Sequence, residues 1–350
     1  MKRAKESTRT GQTVDLVRLA EIVEQFRGKT IVLYGDFVAD EFQYGDIARV
    51  SREAPVLILK HRKTKLVPGG GANAANNLVA LGAKAIPVTA VGKDAAGKAL
   101  VEFFQGLRVD TSGVVRAANW ATPTKTRFLA GWAHTTAQQV LRVDREPNEA
   151  LTEKVQGQIT AKLSARIRSA DALAISDYGF GTATPEGARS ALRKAKRIPV
   201  TLDARHRLTR YAGTGVVSAT PNEAEIEALH HTSIGRNMEE LDRCGRATLA
   251  EMKMDSLLVT RGRDGMALFE KDGKRLTHIA VHGSDQAVDV TGAGDAVLAA
   301  YTLALASGAS ALEAAHIANI AGGLVVMKRG TATVSQAELR EAIRRESSGS

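Results

Sequence analysis

Short apolar runs and segments of helical spacing take turns along most of this chain, and that alternation constrains its fold more than any other feature. Thr30–Tyr34 reads as a short buried strand, Val56–Leu59 after Pro55 and Ile86–Val91 as strands, and Ala172–Ser176, Val200–Leu202, Val216–Ala219 and Leu257–Thr260 as further short β-rich runs. Helical patterns fall at Gly71–Leu81, Ala95–Leu107, Leu151–Ile167, Pro185–Lys196 and Asn222–Leu229, and an earlier one at Val14–Phe26 is stopped by Gly28. A βαβα order of this kind predicts an α/β fold with a mainly parallel sheet and helices on both faces. Ligands of such sheets gather beyond the carboxyl ends of the strands. There the sequence puts Asp36, Asp40, Asp177, Asp203, Asn222 and Thr260.

Two stretches break the alternation. Phe42–Lys60 and Ala121–Asp144 are β-rich with no helix between their strands, and they predict a small accessory sheet over the main layer. The basic run Lys60–Lys65 reads as a solvated connection between this lid and the body. No internal repeat and no linker divides the chain, so one domain is expected over residues 13–345, with tails at 1–12 and 346–350.

Composition narrows the function. The net charge of +10 is spread over many segments, including both ends, and few aromatics interleave with it. That suits a solvated basic surface or an anionic substrate better than a nucleic-acid partner. Cys244 stands alone, so no intrachain disulfide and no Cys-rich metal site can form, in keeping with a reducing cytoplasm. The first twelve residues lack the apolar core of a signal peptide, and Ala296–Leu305 is too short to span a bilayer.

The run Asp289-Val-Thr-Gly-Ala-Gly-Asp295 leads straight into an apolar helix. Gly292, Ala293 and Gly294 leave backbone N–H groups uncovered at the positive end of that helix, which is a place for an anion, most often phosphate. A carboxylate beside a phosphate is electrostatically awkward, and Asp295 has a reason to be there if it takes the proton of an attacking hydroxyl. The plain alternative is a Gly-rich turn with Asp as a helix-terminal residue.

These residues resemble those of the ribokinase-like (PfkB) carbohydrate kinases. The resemblance rests on the Asp289–Asp295 signature, the glycines of Gly69-Gly-Gly-Ala-Asn73, Thr220-Pro-Asn-Glu-Ala-Glu225 and Thr260-Arg-Gly-Arg-Asp-Gly265, all in family order. It implies a three-layer ribokinase-like sandwich with a lid, a homodimer through that lid, ATP and Mg²⁺ as cofactors, and a sugar or sugar phosphate as substrate. Monovalent-cation activation stays open. Within the family, Gly35–Asp40, Arg49–Val56, Thr124–Arg127, Gln138–Asp144, Ser176–Tyr178 and Lys328–Val334 are similar to the kinase part of ADP-heptose synthesis proteins. Those phosphorylate D-glycero-β-D-manno-heptose 7-phosphate at O1 on the way to lipopolysaccharide core. No nucleotidyltransferase part is expected within these 350 residues. Two departures stand out: Gly179-Phe180-Gly181 follows Tyr178 where a Lys is usual, and Ala204-Arg205 follows Asp203 in place of Pro-Lys. Arg205, His206 and Arg207 supply cations there instead.

The resemblance assigns roles residue by residue. Asp295 is the base, with Gly292, Ala293 and Gly294 as anion hole. Asn222 and Glu225 face magnesium through water, as an ion that keeps its waters requires, although the same pair also reads as a helix cap. Asn222, Thr260, Gly262 and Gly265 border the nucleotide, and Asn319 lies on its adenine side or is a surface or helix-packing residue. Asp40, Gly70, Gly71 and Asn73 hold the sugar, and Asp36 is a weaker candidate with a plain reading as a strand-end turn residue. Lys125, Arg127 and Arg142 of the accessory sheet face a sugar phosphate or equally protect a strand edge, Arg205 faces the phosphate, and Asp177 orients the substrate or caps its strand. Rivals to a heptose kinase are a ribose, fructose or nucleoside kinase, or an idle kinase fold that acts as a binding protein.

Overall fold

A computed structural model describes residues 14–132, 137–193, 197–283 and 287–348. In chain order it forms α1 (Leu16–Glu24), β1 (Thr30–Gly35), β2 (Phe37–Val50), β3 (Leu57–Gly70), α2 (Gly71–Ala80), β4 (Lys84–Gly92), α3 (Ala95–Gly106) and β5 (Val114–Ala117). There follow β6 (Thr124–Gly131), β7 (Gln138–Arg145), α4 (Glu153–Arg166), β8 (Ala172–Asp177), α5 (Pro185–Leu192), β9 (Val200–Ala204), β10 (Ser218–Ala219) and α6 (Glu223–His230). The chain closes with α7 (Met238–Met252), β11 (Ser256–Thr260), β12 (Met266–Glu270), β13 (Thr277–Ile279), α8 (Ala293–Ala306), α9 (Ala311–Val326) and α10 (Gln336–Ser348).

Nine strands make the large sheet in the order β13-β12-β11-β10-β9-β8-β1-β4-β5. From β11 to β5 every pairing is parallel, and only β12 runs against the rest, antiparallel to both β11 and the edge strand β13. Alternate residues of β1 enter two separate cores: Ile31 and Leu33 join one, Val32 and Tyr34 the other. The first core is closed by α1, α2, α3, α8, α9 and α10, the second by α4 to α7. Helix α8 is buried continuously from Asp295 to Ala304 and is apolar all round apart from its first turn, as a helix enclosed on every side must be. This is the α/β architecture the alternation predicts.

The strand order reverses at β1, which pairs with β4 on one side and β8 on the other. Asp36 and Asp177 sit at that switch point, where the diverging crossovers leave a crevice.

The second sheet has four strands in the order β3-β2-β6-β7. It is longer than the sequence suggests, because β2 leaves β1 after a single residue and β3 runs without a break into α2. The expected connection at Lys60–Lys65 is wrong: these residues are the middle of β3 and pair with Phe42–Asp46 of β2. Cross-strand partners such as Arg62 with Asp46 and Thr64 with Gln43 hold the basic run extended. The expected tail at 346–350 is also corrected in part, since α10 runs to Ser348 and Glu346 pairs with His282. Residues 1–13 lie outside the described ones.

Candidate active site

A cleft of about 580 Å³ opens at the carboxyl ends of the strands, between the large sheet and the small one. Its floor is the turn before α8. Gly292 adopts φ +81°, and a Cβ there would stand 2.5 Å from the Asn73 side-chain nitrogen, so both conformation and space call for glycine. The turn delivers Asp295 to the first turn of α8, 4% exposed. Gly292 and Gly294 line the cleft. The Ala293 N–H instead donates to the Val290 carbonyl at 3.3 Å and closes the turn.

Both oxygens of Asp295 have partners. Oδ2 accepts from Asn73 Nδ2 and Oδ1 from the Tyr178 hydroxyl, each at 2.9 Å. Burial pushes the Asp295 carboxyl up to about 7 against these two hydrogen bonds, which pull it down; Asp40 adds to the rise and Lys125 opposes it. A carboxylate with a pKa near neutrality is suited to taking a proton and giving it back.

Glycines 69 to 71 each allow a close approach. At Gly69 a Cβ would strike the Asp40 carboxylate, at Gly70 it would crowd Val38 and the Tyr178 ring, and at Gly71 the Asp36 carbonyl. These positions admit protein groups first, and of Gly70 and Gly71 only Gly70 also lines the cleft. Asp40 accepts from Arg127 at 2.6 Å, with side-chain exposures of 7% and 13%. Arg127 is thus engaged by a carboxylate while it lines the cleft. Lys125, Arg142 and Arg205 line the cleft as well. Burial, then the nearby Arg205, depresses the Lys125 amine.

Asp36 is fully buried and accepts from the backbone N–H groups of Tyr178, Phe180 and Thr182, while its carbonyl takes the Gly71 N–H. Burial raises its carboxyl to about 6, helped by Asp177 and opposed by those three donors. Asp177 accepts from Arg207, Gly179 and Tyr211. Both aspartates therefore hold the loops after β8 and β9 in place, and Asp177 also borders the cleft.

At the other end, Asn222 and Glu225 form a reciprocal capping box at the start of α6, with both bonds at 2.9 Å. Their side chains nevertheless line the cleft, with Thr260 and Gly262 beside them. Gly265 does not reach it; φ +77° and the Ile279 carbonyl against its Cα fix it as a turn glycine before β12. Asn319 donates to the Ala280 carbonyl at 2.7 Å and pins that segment to α9.

Asp203, at the end of β9, also faces this part of the cleft. Its carboxyl is held well above the usual range, by burial first and then by the charges of Glu225 and Asp295. Among the described residues no three His, Cys, Asp or Glu gather closely enough to cage a metal. A hydrated Mg²⁺ fits such a donor set, since it binds few protein ligands and offsets the repulsion between the carboxylates. Thr291 and Thr331 are cleft residues to which the sequence reading gave no role, whereas Asp203 is one of the strand-end carboxylates it placed there. The strand-end position of Asp203 is the signal for it, whereas Thr331 follows Gly330, whose N–H bonds to Asp289 41 residues away.

A second cavity of about 750 Å³ adjoins the first, and Lys125, Arg142, Tyr178 and Arg205 line both. His206 and Arg207 contribute to its wall, as do Glu146 and Glu149.

The pattern of the pfkB family of carbohydrate kinases matches residues 29–338. The chain is 38% identical over 311 residues to the bifunctional protein HldE of Geobacter metallireducens, covering 88% of this chain and 61% of that one. It is 37% identical over 329 residues to the protein of the same name from Mesorhizobium japonicum, covering 93% and 64%. It thus spans less than two thirds of the length of these curated relatives. Two solved structures share the fold at 19% identity. Phosphofructokinase-2 from Escherichia coli in complex with potassium has a TM-score of 0.72, covering 91% of this chain and 99% of its own. Ribokinase from Arabidopsis thaliana with ribose and ATP has a TM-score of 0.68 with the same coverage.

Proposed function

This chain belongs to the pfkB family of carbohydrate kinases, phosphotransferases that act on a sugar, and from that premise we propose that it transfers the γ-phosphoryl group of ATP to O1 of D-glycero-β-D-manno-heptose 7-phosphate. The acceptor hydroxyl attacks the γ-phosphorus, an O–P bond forms as the bond to the β-phosphate oxygen breaks, and ADP leaves. Asp295 takes the hydroxyl proton. Gly292 and Gly294 present the start of α8 to the transferring group, where the helix dipole favours negative charge. Asn222 and Glu225, with Asp203 facing them, would hold Mg²⁺ through its waters, and bound magnesium neutralises charge on the phosphates. Thr260 and Gly262 border the nucleotide, and Asp40 and Gly70 the sugar.

The observation that carries the substrate assignment is the second cavity. An acceptor with its reactive hydroxyl at Asp295 can extend its distal end past Tyr178 to Lys125, Arg142 and Arg205, cations that open on both spaces. A sugar phosphorylated far from the reacting carbon has use for such a place; a nucleoside does not. Arg205 stands where the sequence pattern of heptose kinases has lysine, and a guanidinium grips phosphate in a two-pronged way that lysine cannot copy. Identities of 37–38% to proteins named HldE support the same choice.

The test is ATP consumption with heptose 7-phosphate, free heptose, fructose, ribose and a nucleoside. The phosphorylated heptose is expected to lead by at least about tenfold in kcat/KM, the effect of one charge-assisted contact. Equal use of the free heptose removes the phosphate site, and preference for fructose or ribose removes the heptose assignment.

A further inference from the structure

Tyr178 stands between the two cavities, and its hydroxyl reaches the carboxylate on which the chemistry turns. We propose that Tyr178 is the positioning residue of the phosphoryl transfer: its phenol holds Asp295 turned and ionised for the proton of the acceptor hydroxyl. The proposal rests on the reading of Asp295 as the base.

Three observations carry it. The first is the division of labour on the carboxylate. Tyr178 takes Oδ1 and Asn73 takes Oδ2, so donors from two separate elements stop rotation of the carboxylate plane. Each oxygen keeps a lone pair for the incoming hydroxyl. The second is the way the phenol itself is fixed. Its backbone N–H is bonded to Asp36 at 2.9 Å. Its ring lies against Gly70, where an added Cβ would come within 3.3 Å of Cε2. Lys125 Nζ and Arg205 Cζ flank it at 5.7 and 6.0 Å from the ring centre. A donor fixed in this way acts at one point in space.

The third is electrostatic. The charged groups that face Asp295 are Asp40 from β2, Lys125 from β6 and Asp203 from β9. The two carboxylates oppose its ionisation and the amine supports it. Burial is the largest effect and also opposes ionisation, so the Asn73 and Tyr178 donors are what offset it. Burial, then the charge of Asp295, keeps the phenol protonated, so it remains a donor and does not compete as a base.

Tyr178→Phe retains the ring and its cations and removes only the O–H. At pH 7 the variant should turn over about tenfold more slowly, and the acid limb of its kcat profile should move up by about one pH unit. The deficit then shrinks in alkaline buffer while KM for ATP stays unchanged. In the unliganded protein, NMR titration of the ¹³C-labelled Asp295 carboxyl should show the same upward displacement. A rate loss equal at all pH values, with the carboxyl titration unmoved, means a merely structural tyrosine and overturns the proposal. Wild-type rate and profile overturn it too. If the titration moves as expected but the wild type phosphorylates no sugar, the hold on Asp295 stands and the kinase reading falls.

Discussion

Asn73 in α2 donates its side-chain amide to Asp295 in α8 at 2.9 Å, across 222 residues of sequence. The glycine motif that opens α2 and the Gly-rich turn that opens α8 are therefore one unit. The tight fit of Gly292 against the same amide adds to the joint. A change at Asn73 thus acts on the base as well as on any sugar.

Replacing Asp295 by Asn should leave ATP binding nearly intact and lower turnover by at least about 100-fold, the range for losing a general base. Because the Asp295 carboxyl lies near 7 and acts when ionised, wild-type kcat should fall as pH drops through that value and level off above it. Steady-state rates over roughly pH 5.5–9, on both sides of neutrality, check both.

The Arg127–Asp40 pair should behave as a unit. Removing either partner leaves the other poorly paired in a largely dry place, so Arg127→Ala and Asp40→Asn should each lower kcat/KM for the sugar about ten- to 100-fold. The double variant should cost much less than the sum, which a double-mutant cycle reads directly. Full additivity would mean that Arg127 meets the substrate on its own.

Arg205→Ala and Arg142→Ala should reduce kcat/KM for a phosphorylated heptose about ten- to 100-fold and leave the free heptose nearly unaffected. Arg207→Ala should act differently, because that guanidinium is bonded to Asp177 at 2.7 Å. Its loss should show in thermal unfolding more than in a phosphate-specific defect.

Glu225→Gln keeps an oxygen for the capping box but removes a charge from the proposed magnesium site. It should raise the Mg²⁺ concentration for half-maximal rate by about tenfold and change stability by less than about 1 kcal/mol. Chelation with EDTA should abolish turnover in both proteins, and added Mg²⁺ should restore it.

The lid should bring two copies together. Val140, Leu141 and Val143 on the edge strand β7 are 45%, 55% and 49% exposed, and an apolar exposed edge invites a partner. Sedimentation should show a dimer for the wild type and a monomer for Leu141→Asp. A wild-type monomer at all concentrations would remove this claim.

The sequence was legible where one local rule decided the outcome. The buried strands β1, β4, β8, β9 and β11 announce themselves by apolar runs, and Asp295 by its place after glycines at a helix start, whereas Val56 and Leu57 prove exposed at the start of β3. What stayed hidden depends on contacts distant in sequence. Lys60–Lys65 reads as loop because its strand character comes from β2 opposite it. The Asp40 partner of Arg127 is not legible in the sequence because the two meet only across 87 positions. Asn222 and Glu225 show the reverse case: their spacing fits a cap and a metal-facing pair alike, and the structure forms the cap while leaving both at the cleft.

The roots of β2 and β3 have a mechanical consequence. These two 14-residue strands leave β1 and enter α2 almost without slack, and their pairing slips only at Tyr44/Gly45 and Ile47/Arg49. The small sheet resembles a cantilever clamped beside the reacting groups, with its compliance placed beyond the bulges. Asp40 and Gly70 lie at those roots and line the cleft, so a second copy pressing on the outer strands would load the proposed sugar site.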